Sequence, residues 1–196
     1  MSRPFAQAAD ENRQVILQAL APYLAGEVLE VGSGTGQHAI YFCSQMPGLR
    51  WQTSDLETSV AGIRAWIEES GLENLPAPLL LDVCGSWPAR QYDTIYSANT
   101  FHIMGDEAVA RCIEAGARCL AAGGHFTVYG PFNYGGRFTS ASNERFDAML
   151  KTADAQSGIK DFEWLDELAQ AAGMELEADI AMPANNHCLV WKKRTF

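Results

Sequence analysis

Apolar residues at Val15, Ile16, Leu17, Leu20 and Leu24 recur at helical spacing and predict a helix over 10–24, with Pro22 distorting its last turn. Val28, Leu29 and Val31 form a short apolar run that suits a buried strand, and 37–46 reads as a helix with Ala39, Ile40 and Cys43 on one face. The rhythm then repeats. Residues 50–54 predict a strand, and 58–70 a helix stopped by Gly71. Residues 79–81 and 92–97 supply two more strands, 106–120 a helix ended by Gly123 and Gly124, and 125–129 a fifth strand. Strands alternating with helices at this spacing imply a parallel sheet covered on both faces, with right-handed crossovers. From 130 to 142 the chain turns rich in Gly, Asn, Ser and aromatic residues, too long and polar for a plain connection. Helices over 144–151 and 161–172 follow, and 174–180 with 187–192 would close the sheet as a final pair. No repeat, low-complexity tract or linker interrupts the 196 residues, so a single domain over 1–196 is expected.

Composition narrows the partners. With 14 basic and 24 acidic residues the net charge is -10, which offers no broad basic surface to nucleic acid or anionic lipid. The five cysteines are odd in number and form no Cys-x-x-Cys pair, which suits reduced thiols packed as small apolar residues and no bound metal. No secretory leader and no membrane-spanning run is visible, so a cytoplasmic protein is expected.

Chemistry enters at residues 28–36, Val-Leu-Glu-Val-Gly-Ser-Gly-Thr-Gly. A strand, a glycine turn and a helix open a nucleotide-binding α/β fold, because glycines let the backbone approach a ligand without a Cβ in the way. A dinucleotide fingerprint needs a third glycine where this chain has Gln37, and no Lys-Ser or Lys-Thr pair makes a phosphate loop. An NAD-dependent oxidoreductase is disfavoured on that ground. Further carboxylates follow the next two strands. Asp55 is placed to accept from ribose hydroxyls or to cap the following helix; Asp82 is placed to meet a base or to sit in a turn. Together with Glu30 they crowd like charges along one sheet edge, and a cationic, hydroxyl-rich ligand would relieve them.

Glu30-x-Gly32-x-Gly34-x-Gly36 resembles motif I of the class I S-adenosylmethionine-dependent methyltransferases. The resemblance implies a doubly wound, mostly parallel seven-stranded sheet with an antiparallel last strand, and S-adenosylmethionine as cofactor. It implies a cofactor site at Arg13, Glu30, Gly32, Ser33, Gly34, Gly36, Asp55, Leu56, Asp82, Val83 and Asn99, with Trp87 covering the adenine or packing. His102 and Tyr129 are the candidate proton acceptors.

Several segments outside these motifs are similar to the family represented in animals by methyltransferase-like protein 26: 9–13, 130–132, Ser142-Asn143, 158–161 and Met182-Pro183-Ala184-Asn185-Asn186. That family often reads Glu-Arg-Asn-Lys where this chain has Asp10-Glu11-Asn12-Arg13, so an arginine replaces a lysine. The resemblance suggests residues 1–25 as a helical lid and 130–160 as a substrate-side insertion. Asn133, Tyr134, Arg137, Asn185 and Asn186 would then meet a small, partly polar acceptor, in a monomer or homodimer. The alternative is a module that binds or senses the cofactor without catalysis.

Overall fold

The computed structural model describes residues 4–195. Its elements run α1 (Gln7–Leu20), β1 (Glu27–Val31), α2 (Gln37–Gln45), β2 (Arg50–Asp55), α3 (Glu57–Ser70), β3 (Leu79–Leu80), β4 (Tyr92–Ala98) and α4 (Asp106–Cys119). Then come β5 (Leu120–Gly130), β6 (Phe132–Asn133), α5 (Ala141–Ala153), β7 (Lys160–Asp161), α6 (Phe162–Ala171), β8 (Met174–Met182) and β9 (Asn186–Lys193). Seven strands form one sheet in the order β3-β2-β1-β4-β5-β9-β8, parallel from β3 to β5 and antiparallel at β9. This is the doubly wound α/β architecture expected. The order reverses between β1 and β4, and in such sheets that reversal opens a crevice beyond the strands' carboxyl ends.

Alternation along the strands explains the two buried faces. Val28, Trp51, Tyr96, Tyr129 and Val190 point to one side, where Ile16 and Leu20 of α1 and Phe42 of α2 cover them. Leu29, Ile95, Phe126, Leu189 and Trp191 point to the other, against Val109 and Ile113 of α4 and Leu165 of α6. Phe42, Trp51 and Tyr96 meet edge to face with centroids 5.2 to 5.6 Å apart, so β2 and β4, which flank β1, are both locked to α2.

Three expectations are corrected. Gly123 and Gly124 lie within an irregular β5, whose register jumps from Tyr92↔Leu120 to Thr94↔His125, rather than ending a helix. The stretch after β5 is not all loop, since Phe132↔Lys160 and Asn133↔Asp161 make a parallel two-stranded ladder. The first helix starts at Gln7, not at residue 10, and is followed by a tight turn over Ala21–Tyr23 that contains Pro22.

Candidate active site

The glycine turn is fastened to its neighbours by backbone bonds. Gly32 and Ser33 both donate to the Ser54 carbonyl, at 3.1 and 2.9 Å, and Ser54 N donates to Ser33 Oγ at 3.0 Å. Gly32 adopts φ +72°, and a Cβ there would stand 2.6 Å from Thr100 Cγ2. Gly34 adopts φ +58°, yet nothing lies within 4 Å of where its Cβ would be. One glycine lets β1 and the end of β4 touch; the other keeps open space for a ligand. Gly36, at φ +83°, starts α2 and packs on Ile63 behind the turn.

Beyond these strand ends lies a cavity of about 510 Å³. Of the predicted cofactor residues, Glu30, Gly32, Ser33, Gly34, Asp55, Leu56, Asp82, Val83 and Asn99 line it together. Asp55 accepts from Gly34 N through Oδ2 and from Leu56 N through Oδ1, each at 2.7 Å, so its carboxylate is held in place before any ligand arrives. Asp82 accepts from Cys84 N at 2.9 Å, which leaves its second oxygen available. Asn99 sits at φ +55° with its N–H donating to the Tyr129 carbonyl at 2.9 Å. Trp87 packs: its indole donates to the Val83 carbonyl, and it does not line the cavity. Arg13 lies outside as well, paired with Asp10 at 2.6 Å and stacked over Tyr41.

None of the residues that floor and roof the cavity stood out in the sequence. Ala6, Ala8 and Ala9 at the start of α1 roof the cavity, Gln37 and His38 of α2 border it, and Ile103 and Met104 close one end. Small apolar residues carry no chemical signature, and His38 falls in a helix whose pattern says only that it is amphipathic. His38 is nonetheless fully engaged. Asn12 Oδ1 can only accept, so His38 Nε2 donates to it at 2.7 Å, and Nδ1 then accepts from the Tyr96 hydroxyl at 3.0 Å. Burial pushes this imidazole down to about 4, so it is neutral at physiological pH.

Among the described residues no Lys or Arg lines the cavity, against three carboxyls at Glu30, Asp55 and Asp82. Glu30 is 2% exposed and accepts from Trp51 Nε1 at 3.0 Å. Burial pushes its carboxyl up to about 7; the Trp51 and Ser33 hydrogen bonds oppose that rise, and the Asp55 charge adds to it.

The two candidate proton acceptors stand apart. His102 follows β4, in the short turn Phe101–Ile103, with its ring edge-on to Phe146 of α5 at 5.1 Å and its carbonyl accepting from Gly158 N at 2.9 Å. Burial, with Lys160 nearby, lowers it to about 4. Tyr129 belongs to the core face under α1, where burial raises its phenol and the amides of Asn12 and Asn186 act against that rise. Neither lines the cavity, but Ile103, beside His102, does.

The predicted substrate residues lie outside the cavity, around β6 and at the β8–β9 turn. Tyr134 stacks on Phe162 and donates to Asp179 at 2.8 Å, beside His187. Asn185, at φ +57°, donates to Ser142 Oγ at 3.3 Å, while Asn143 donates to the Asn185 carbonyl at 3.2 Å. The Ser-Asn and Asn-Asn segments thus touch each other across the β8–β9 turn. Asn186 donates to the Pro183 carbonyl, Asn133 donates to the Ile159 carbonyl, and Arg137 is exposed beside Tyr134.

The buried histidines set a pH dependence. Unfolding returns His38 and His102 from about 4 to 6.5, so the unfolded chain binds more protons between those values and stability falls on acidification. Glu30 works oppositely: its folded value of about 7 against 4.5 contributes stability below pH 4.5 that is lost as pH rises through 7. Two groups against one leave a net loss of about 2 kcal/mol on going from pH 6.5 to 4.5. Urea unfolding at the two pH values measures it; a higher stability at pH 4.5 would contradict the assignment.

No helix among the described residues is long and apolar enough to cross a membrane, and no group of three or more His, Cys, Asp or Glu there could hold a metal ion. All five cysteines are free, four of them buried.

A seven-stranded sheet of this order, with a glycine turn at its reversal, defines the Rossmann-like fold of the methyltransferases. The chain belongs to the family described as "Protein of unknown function (DUF938)", whose sequence profile matches residues 3–193. Its fold is similar to that of an O-methyltransferase family protein from Burkholderia thailandensis, with a TM-score of 0.86 at 14% identity over 96% of this chain and 57% of that one. Human N-acetylserotonin methyltransferase in complex with SAM gives 0.81 at 17% identity, over 96% and 53% of the two chains. An O-methyltransferase family 2 protein from Planctomyces limnophilus, in complex with apigenin, gives 0.76 at 15% identity, over 94% and 62%. At these identities the likeness establishes the fold, and the chain spans 53 to 62% of the length of these three proteins.

Proposed function

We propose that the chain is an S-adenosylmethionine-dependent methyltransferase acting on a small-molecule acceptor. The observation that carries this reading is the cavity at the strand reversal, which gathers Glu30, Asp55 and Asp82 around an open glycine turn with no cationic side chain among the described lining residues. A pyrophosphate would be repelled there; an adenosyl cation fits. Asp55 would hold the ribose hydroxyls, Asp82 and Val83 the adenine, and the Gly32 to Gly34 turn with Asn99 the methionine moiety. The resemblance of the Ser-Asn and Asn-Asn segments to the methyltransferase-like protein 26 family supports a place beside it, and in this chain the two segments touch.

When bound, S-adenosylmethionine supplies a methyl group already activated for attack by an O, N or S nucleophile. The chain then has to orient the acceptor and exclude water, and orientation of this kind is worth about 7 to 11 kcal/mol of barrier. His102 is neutral at physiological pH and its ring nitrogens have no hydrogen-bond partner among the described residues. It stands outside the cavity behind Ile103, so it would accept a hydrogen bond and the proton only from a nucleophile that reaches past Ile103. Tyr129, with its raised phenol, keeps its proton at physiological pH and would donate a hydrogen bond rather than act as a base.

Calorimetric titration with S-adenosylmethionine and with NAD, followed by a screen of small phenols, alcohols, amines and thiols for S-adenosylhomocysteine release, tests this function. Binding of the methyl donor with turnover of an acceptor is expected. Binding without turnover would favour a sensing module, and binding of NAD instead would overturn the cofactor. With an acceptor in hand, His102→Gln should lower kcat about a hundredfold and leave methyl-donor affinity within threefold.

A further inference from the structure

Glu30 is the most enclosed carboxyl of the cavity, and its surroundings offer it little means of staying ionised. Trp51 from β2 gives one hydrogen bond, and Ser33 of the glycine turn adds a second. Every other titratable neighbour is either neutral or negative. Asp55 of β2 shares the cavity. Tyr96 of β4 is held well above its usual range by burial and by Glu30 itself. Cys43 of α2 is pushed up to about 12 by burial, again with Glu30 contributing, and His38 of α2 is kept neutral by its burial. No cationic group faces Glu30 from the sheet, the turn or α2 among the described residues, and Arg13 of α1 is spent on Asp10 and Tyr41. Such a carboxyl keeps its proton to a higher pH than a solvated one, and positive charge brought in from outside makes it release that proton more readily.

We propose that Glu30 holds a proton in the ligand-free protein and releases it to solvent when a cationic ligand enters, so that the methyl donor is bound in exchange for a proton. This rests on the cofactor reading above and adds to it a coupling between methyl-donor affinity and pH. His38, Tyr96 and Cys43 keep their protonation state between pH 6 and pH 8, so of these enclosed groups Glu30 carries the exchange. Because Glu30 titrates about pH 7, some half a proton should leave per ligand at pH 7 and nearly one at pH 6. Affinity should rise about tenfold from pH 6 to pH 8 and then level off.

Calorimetry in two buffers of different ionisation enthalpy reads the proton directly and needs no turnover. S-adenosylmethionine should show a buffer-dependent heat that grows from pH 8 to pH 6, while adenosine, which lacks both positive charges, should show none. Glu30→Gln should bind with a heat independent of buffer. Should that variant fail to fold, the carboxyl carbon of Glu30 in the wild-type protein, followed by NMR, should titrate near neutrality and move far lower once the donor is bound. Binding of the donor without buffer dependence, equal proton release with adenosine, or release that persists in Glu30→Gln overturns the proposal while leaving the cofactor intact. Absence of donor binding at every pH overturns both.

Discussion

Replacing Asp55 by alanine is expected to weaken S-adenosylmethionine binding by about 10- to 150-fold. The carboxylate stands at the carboxyl end of β2, its two oxygens fixed by Gly34 N and Leu56 N, with lone pairs left for the ribose hydroxyls. A hydrogen bond to a charged group is worth about 1.5 to 3 kcal/mol, and losing one gives the fold-change stated. Asp55→Asn keeps one acceptor oxygen and should lose less. Calorimetric titration with the methyl donor measures both. An alanine variant that binds within threefold of wild type would show that Asp55 only shapes the turn.

Gly32→Ala should lower unfolding free energy by about 2 to 5 kcal/mol, because two independent costs meet at this position. The left-handed backbone costs an alanine about 1 to 2 kcal/mol. Its methyl group would also press into Thr100, 2.6 Å from Cγ2 and 2.7 Å from Oγ1, and overpacking of this kind costs about 1 to 3 kcal/mol. Thr100 cannot swing aside cheaply, since its hydroxyl donates to the Ala98 carbonyl at 2.9 Å. Gly34→Ala separates the two effects: the same backbone strain with no neighbour to strike should cost about 1 to 2 kcal/mol, while its methyl intrudes on the ligand. Denaturant unfolding together with donor titration should therefore find Gly32→Ala mainly unstable and Gly34→Ala mainly defective in binding. Equal losses of stability would contradict the geometry.

These glycines were legible from the sequence because alternate spacing after an apolar run has few structural uses, and the carboxylates after β2 and β3 followed once the strands were placed. What sequence could not provide was side-chain direction. Asn133, Tyr134, Arg137, Asn185 and Asn186 stand out by resemblance, yet none lines the cavity, and, Arg137 aside, their side chains turn to Ile159, Asp179, Ser142 and Pro183. The β6–β7 ladder is two residues long on each side, too short for any alternation to betray it. His38 was hidden for another reason: its two ring partners lie 26 and 58 positions away, on elements that only the finished fold brings together.

That pair of contacts changes how α1 should be pictured. Its rear half is rooted in the core by Ile16, Leu17 and Leu20. Its front half, which roofs the cavity, is held by a few polar contacts: Ala6 N to Gln37 Oε1 at 2.7 Å, Asn12 to His38 and Tyr129, and Arg13 over Tyr41, with Trp66 Nε1 on the Pro4 carbonyl just ahead of it. Lifting the front half breaks those contacts and leaves every strand pairing and the rooted half intact, so it is a far smaller rupture than unfolding. The roof of the cavity is therefore the part of α1 that costs least to displace, while the rooted half keeps the helix on the sheet.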